Sequence, residues 1–298
     1  MSEVNASTDK LQTLKPRVSE LRRIYKVMFS RWVVVFGVVV VGISIITAVA
    51  APLLAPYDPL QVNPTNALQP PSFSHPLGTD DIGRDSLSRI IYGSRISLLV
   101  GLVAVGIAGG IGMTAGLVAG YFGGWVNAII MRLTDAFMSI PGIVMMLFIG
   151  SVLGGGLRGV LISVGIVLAP AYCRLMCAQI LTIKEGDFVT AANVIGANDL
   201  RIMFRHLLPN AFPPLLVLLT MNLGTAIMFE ATLSFLGLGI NPPTPAWGYM
   251  VNAGYRYLLR DPLLSFFPGA AIMLTVLGFN MVGDGLRDAL DPRLRGTL

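Results

Sequence analysis

Few residues in this chain have the type and spacing to do chemistry. Cys173 and Cys177 stand one helical turn apart, and the only histidines are His75 and His206. A metal site needs more ligands than two thiols, so the cysteines read as small apolar residues of a helix and no metal is expected. None of Lys10, Lys15, Lys26 and Lys184 sits in a glycine-rich phosphate loop, so the chain itself is not expected to bind or hydrolyse ATP. Neither a Gly-x-Ser-x-Gly elbow nor a His-Glu-x-x-His pair occurs, which removes two common hydrolase sites. No catalytic residue is assigned. Glu230 is the one acid within an otherwise apolar run. Its distance beyond Pro209 sets it towards an interface, where a charge reaches water and plays a structural role. Ion-coupled transport usually leaves acids at mid-membrane, so a secondary transporter is the weaker reading.

The elements that would position these residues are apolar throughout. Hydrophobic residues make up 54% of the chain and charged ones 12%, about half the charged share of a soluble domain. Residues 32–57, 96–131, 136–157, 207–229, 231–255 and 262–283 carry no Asp, Glu, Lys or Arg. Runs of this length cross the hydrocarbon core as helices, because backbone groups cannot stay unpaired in lipid and the runs lack a barrel's alternation. The expected fold is therefore all-α, a polytopic bundle of six transmembrane helices near residues 32–54, 96–118, 137–157, 159–178, 212–236 and 264–282. The first run follows a long tail and exceeds a signal peptide's apolar region, so it reads as a retained helix.

Charge placement orients the bundle. With six spans both ends share a side, which holds fifteen of the 21 Lys and Arg residues. The excess predicts both termini in the cytoplasm. A formal net charge of +5 thus speaks of membrane orientation, and no nucleic acid is expected. Residues 1–30 read as a cytoplasmic tail ending in a surface helix. The proline-rich stretch after the first span reads as irregular external structure, followed by a short amphipathic surface helix over residues 85–92. Gly106, Gly110, Gly112, Gly116 and Gly120 fall four apart in and just beyond the second span. That spacing allows close helix–helix approach and places this span centrally in the bundle.

The largest cytoplasmic loop lies between the fourth and fifth spans. Phe188, Ala191, Ala192 and Ile195 share one helical face. Gly196 suits a left-handed helix end, and Asn198 suits the N-cap of a second helix. Leu200, Phe204, Leu207 and Leu208 line the second helix, and Pro209 marks entry into the fifth span. The pattern fits either a loop folded on its own bundle or a knob docked into another protein.

This loop resembles the cytoplasmic loop of permeases in the ATP-binding-cassette importer family, which reads Glu-Ala-Ala, three residues, Gly, nine residues, Ile-x-Leu-Pro. Ala191, Ala192, Gly196, Leu208 and Pro209 match at those spacings, while Thr190 replaces the Glu and His206 the Ile. The stretches His75–Arg89, Leu233–Gly239, Pro242–Gly248 and Gly283–Pro292 are similar to the branch that carries dipeptides, oligopeptides and nickel, in its dipeptide-type subunit. The resemblance runs from about Arg31 to Arg295.

It implies a type I importer permease fold over residues 96–290, with a coupling loop at 179–210. Residues 31–95 would form the first helix and external loop, and residues 291–298 a cytoplasmic tail. It implies a plasma-membrane protein paired with a homologous second permease, two ATPase subunits carrying ATP and Mg, and an external substrate-binding protein. Ala191, Ala192, Gly196, Ala197, Leu208 and Pro209 would form the surface that meets the ATPase. Peptides, glutathione and nickel all stand as cargo. Outside, Pro243 and Trp247 read as a stiff docking or gating surface, with rigid packing across the external face as the alternative.

Overall fold

A computed structural model describes residues 28–290. The tail and surface helix expected before residue 28, and the tail after residue 290, lie outside the described residues. The helices are α1 (Trp32–Val49), α2 (Ser86–Phe122), α3 (Gly124–Ser139), α4 (Gly142–Val152), α5 (Gly156–Ile183), α6 (Asp187–Val194), α7 (Leu208–Phe235), α8 (Trp247–Tyr255) and α9 (Leu263–Leu290). Among the described residues, five helices are long and apolar enough to cross a membrane, and the bent pair α3–α4 makes six.

That pair corrects the third expected span, which was read as a single run from residue 137. The two helices meet at 94°. A proline disfavours helical geometry in the residue before it. Ile140, ahead of Pro141, is accordingly extended at φ −89°, ψ 130°. The charge-free run that suggested one helix contains this break. The true start lies earlier, at Gly124, so Arg132 belongs to α3 rather than to a loop.

The glycine stripe of α2 places that helix at the centre. A Cβ at Gly112 would lie 2.2 Å from the Ala169 carbonyl oxygen, and one at Gly116 would lie 2.3 Å from that of Cys173. A Cβ at Gly120 would meet Ile180 at 2.7 Å. Only hydrogen fits at these three positions, so the backbones of α2 and α5 pack directly on each other. In lipid such close packing takes the place of a hydrophobic driving force between helices. On the far side, Gly101 and Gly109 of α2 face Ile227 and Leu219 of α7. Helix α9 then packs against α7 at Gly224 and Gly283, and against α1 at Gly37 and Gly278. An ion pair between Arg31 and Asp288 ties the ends of α1 and α9.

The expected surface helix over residues 85–92 is instead the opening of α2. Asp85 caps the helix by accepting from the Ser88 amide at 2.7 Å. Ser88, Arg89 and Ile91 are buried, the first two under the loop before α2, rather than lying on a membrane surface. No helix stop separates them from the span. Gly93 lies within the continuing helix and is glycine because the Trp247 ring, 2.6 Å from its would-be Cβ, occupies the space.

Candidate functional site

The loop after α5 begins with α6, whose Val189 and Ala192 turn inwards and are 4% exposed. They join the core beside Ile202, Met203 and Leu207. Gly196 ends α6 at φ 77°, with open space where a Cβ would stand. The left-handed conformation, not crowding, requires glycine there. Asn198 then caps the next turn, its side chain accepting from the Arg201 amide at 2.9 Å.

The second loop helix is not separate from the fifth span. Asp199–Arg201 leads into a π-helical turn, Ile202–Leu207, and then directly into α7. Pro209 was expected to mark a boundary. It lies instead within the first turn of α7, where a missing N–H is tolerated, and the wider winding just before it absorbs the change in hydrogen-bond pattern. Residues Asp199–Phe235 thus form one continuous rod. One contact seats its base on α2: the Tyr121 hydroxyl donates to Asp199 at 2.6 Å. Lys184, at the end of α5, donates from Nζ to the Gly120 carbonyl of α2 at 3.2 Å.

What the loop leaves outside is apolar. Val194 and Ile195 are 82% and 83% exposed, and Phe188, Leu200 and Phe204 are exposed beside them. Ala191 and Pro209 are exposed, Ala197 and Leu208 half-buried, and Ala192 buried. The face expected from Phe188, Ala191, Ala192 and Ile195 is therefore divided. Ala192 fastens the helix, and the other three point away from the bundle. The result is a rigid base carrying an uncovered hydrophobic knob.

The motifs at the other end of the bundle have a different character. His75, Asp80, Arg84, Asp85 and Arg89 form a knot that sequence reasoning did not single out, although the stretch His75–Arg89 contains all of it. Asp80 accepts from the Arg84 amide at 2.9 Å and from its guanidinium at 2.6 Å. Asp85 meets His75 at 2.9 Å. Arg89, 1% exposed, donates to the Pro59 carbonyl at 3.0 Å. A Cβ at Gly83 would fall 1.8 Å from the Asn63 carbonyl oxygen. These residues fold the long loop down onto the start of α2.

Trp247 does not form the exposed aromatic anchor that the sequence suggested. It is 3% exposed, and its indole N–H donates to the Ile90 carbonyl at 2.9 Å. The proline stretch before it brings the ring onto Gly93, so rigid packing accounts for this residue. Pro243 lies apart, lining a cavity of about 600 Å³ with Pro52, Tyr57 and Tyr92. Glu230 does not reach water either. It is fully buried, accepting from Ser234 at 2.8 Å and Ser97 at 3.4 Å. The N-terminal part of α2 and the C-terminal part of α7 are thereby joined.

Cys173 and Cys177 are buried in α5. Thr134 donates to Cys173 at 3.5 Å and Asn127 to Cys177 at 3.1 Å, so the thiols fasten α3 to α5. Among the described residues no group of three His, Cys, Asp or Glu is placed to hold a metal.

A multi-span helical bundle with an uncovered apolar loop, and a polar framework that serves packing, defines a polytopic membrane protein. Residues 112–296 match the model for binding-protein-dependent transport system inner membrane components, and residues 19–71 match the N-terminal transmembrane domain of oligopeptide transport permease C. The dipeptide transport system permease of Alkalihalophilus pseudofirmus is 42% identical over 278 residues, covering 93% of this chain and 91% of that one. The glutathione transport system permease of Pectobacterium atrosepticum is 43% identical over 246 residues, covering 82% of each. An inward-facing structure of the MetNI methionine ABC transporter matches with TM-score 0.55 at 22% identity, over 68% of this chain and 96% of that one, and so shares the fold. The chain belongs to the family of binding-protein-dependent transport system inner membrane components. It is the transmembrane permease subunit of an ATP-binding-cassette importer, a multi-pass inner-membrane protein that transports rather than catalyses.

Proposed function

We propose that this chain passes di- and oligopeptides, or peptide-like solutes such as glutathione, inwards across the membrane, with residues 187–209 as the joint to an ATPase. The observation that carries the coupling role is the hydrophobic knob around Gly196, left uncovered on a buried base and built into the same rod as the fifth span. Apolar surface of this kind, set on a rigid support, marks a protein–protein contact. A push on Leu200 or Phe204 acts directly on α7, the type of rigid-body movement that converts ATPase closure into rearranged spans. Ala191, Ala192, Gly196, Ala197, Leu208 and Pro209 hold or surround this surface. ATP and Mg would reside on two partner ATPases, a homologous second permease would complete the pathway, and an external binding protein would deliver cargo. Curated relatives named for dipeptides and glutathione support the peptide reading over nickel.

The decisive variant is Gly196→Asp. A side chain at φ 77° strains the turn, by about 1 kcal/mol. A carboxylate pressed into a partner groove costs several kcal/mol more when unpaired. The variant is expected at normal abundance in the membrane and bound to its sister permease, with import lost and ATP hydrolysis no longer stimulated by binding protein. Normal import with a normal ATPase complement would overturn the coupling role. Orientation is tested separately by reporter fusions at residues 65, 195 and 250, expected to read external, cytoplasmic and external. An external signal at 195 would exclude the loop from any ATPase contact.

A further inference from the structure

The bundle has two unlike membrane-exposed sides. Along α1 the exposed residues are aliphatic, with Val39 51%, Ile43 58% and Ile46 63% exposed. No charge occurs between residues 32 and 57. Elsewhere on the bundle, Arg174 of α5 and Asp135 of α3 form an ion pair at 2.6 Å, with side chains 52% and 55% exposed. Arg132, one turn before Asp135, is also exposed. Helix α5 runs Gly156–Ile183, about 42 Å at 1.5 Å per residue, against a hydrocarbon core of about 30 Å. Arg174 stands about 14 Å from its Ile183 end, which puts it about 8 Å inside the core when the helix is centred on it. Charges there are costly against lipid and occur where water or protein faces them. Next to Arg174, Leu175 lines a cavity of about 710 Å³ whose polar lining is Gln179, Asn210 and Arg287. Small-molecule sites commonly span about 300–1,000 Å³.

Resting on the permease reading, we infer that the strip of α5 around Arg174, flanked by Asp135 and Arg132 of α3 and by this cavity, is the chain's wall of the aqueous substrate pathway, and that it accommodates solutes bearing a free carboxylate. Arginine outnumbers acid along the wall. Arg174 and Asp135 neutralise each other at rest, so neither charge traps the cargo. A passing carboxylate exchanges with Asp135 on the guanidinium, and an ammonium group exchanges with Arg174 on the carboxylate. Pathways conduct when such contacts are favourable enough to enter and weak enough to leave.

The test uses the assembled importer in membrane vesicles, with Cys173→Ala and Cys177→Ala as parent. Cysteine is placed at exposed Ala178, one turn beyond Arg174, or at lipid-side Ile43. A water-soluble, membrane-impermeant thiol reagent is applied from either side. Ala178→Cys is expected to label and to lose import on labelling, while Ile43→Cys stays unlabelled. In the native-cysteine protein, Arg174→Gln is expected to slow import of a free-acid dipeptide about two- to fivefold, the scale of one exposed charge contact, and to slow its C-terminally amidated form less. Ala178→Cys that resists labelling in an importing parent overturns the wall, because lipid or the second permease then covers it. Equal slowing of both dipeptide forms overturns the carboxylate preference. The labelling arm is read on the assembled importer, with Cys173→Ser and Cys177→Ser as parent where the alanines abolish import, so that labelling of Ala178→Cys supports the wall and its absence overturns it.

Discussion

Gly116 and Gly196 are the same residue type in two regions with opposite demands. Gly116 lies in the seam between α2 and α5, at ordinary helical geometry, with the Cys173 carbonyl oxygen where its Cβ would be. Gly196 has nothing within 4 Å of that position but holds φ 77°. One is glycine because of a neighbour and the other because of its own backbone. The seam is settled within the chain: buried, close-packed and complete. The loop is settled only halfway, with a buried base and an apolar face left for something else. Stability is concentrated in the first region and partner contact in the second.

The harshest way to break this contrast is Gly116→Leu. No rotamer relieves a clash between Cβ and a backbone carbonyl, so α2 and α5 must separate and the stripe at Gly112 and Gly120 loses its partner too. The expected result is loss of folded protein from the membrane, read by immunoblot and by detergent-solubilised chromatography. Normal abundance would mean that the seam is not what holds the bundle.

Trp247→Ala comes next. Removing a buried aromatic costs about 3–5 kcal/mol, and here the Ile90 carbonyl loses its donor as well. Lower thermal stability of the purified subunit is expected. Trp247→Phe should recover most of it, since the ring still fills the space beside Gly93. A stable Trp247→Ala protein that fails only to engage a binding protein would return this residue to a docking role.

The mildest change is Gly196→Ala. Its cost is the left-handed strain alone, about 1 kcal/mol, confined to a turn with open space around it. Abundance should match wild type, and the rate of import should fall modestly with stimulated ATP hydrolysis falling in parallel. If instead this variant vanished from the membrane while Gly116→Ala persisted, the assignment of the two glycines would be reversed.

The sequence by itself determined that the chain crosses the membrane as helices, because charge-free runs of that length leave backbone hydrogen bonding no other solution. It determined the central place of α2, since small residues every fourth position mark one close-packing face, and it located the Gly196 turn and its Asn198 cap through local chemistry. Tertiary structure decided the rest. Pro141 bent one expected span into α3 and α4 through the steric restriction it puts on Ile140, and the π-helical turn before Pro209 joined the loop to α7 by accommodating its missing N–H. Burial of Trp247 and Glu230 was also decided there, for an apolar ring or an acid at a given depth reads alike whether it faces water or a neighbouring helix. The pairing of Asp135 with Arg174, 39 positions apart, arises from the packing of α3 on α5, which no local pattern records.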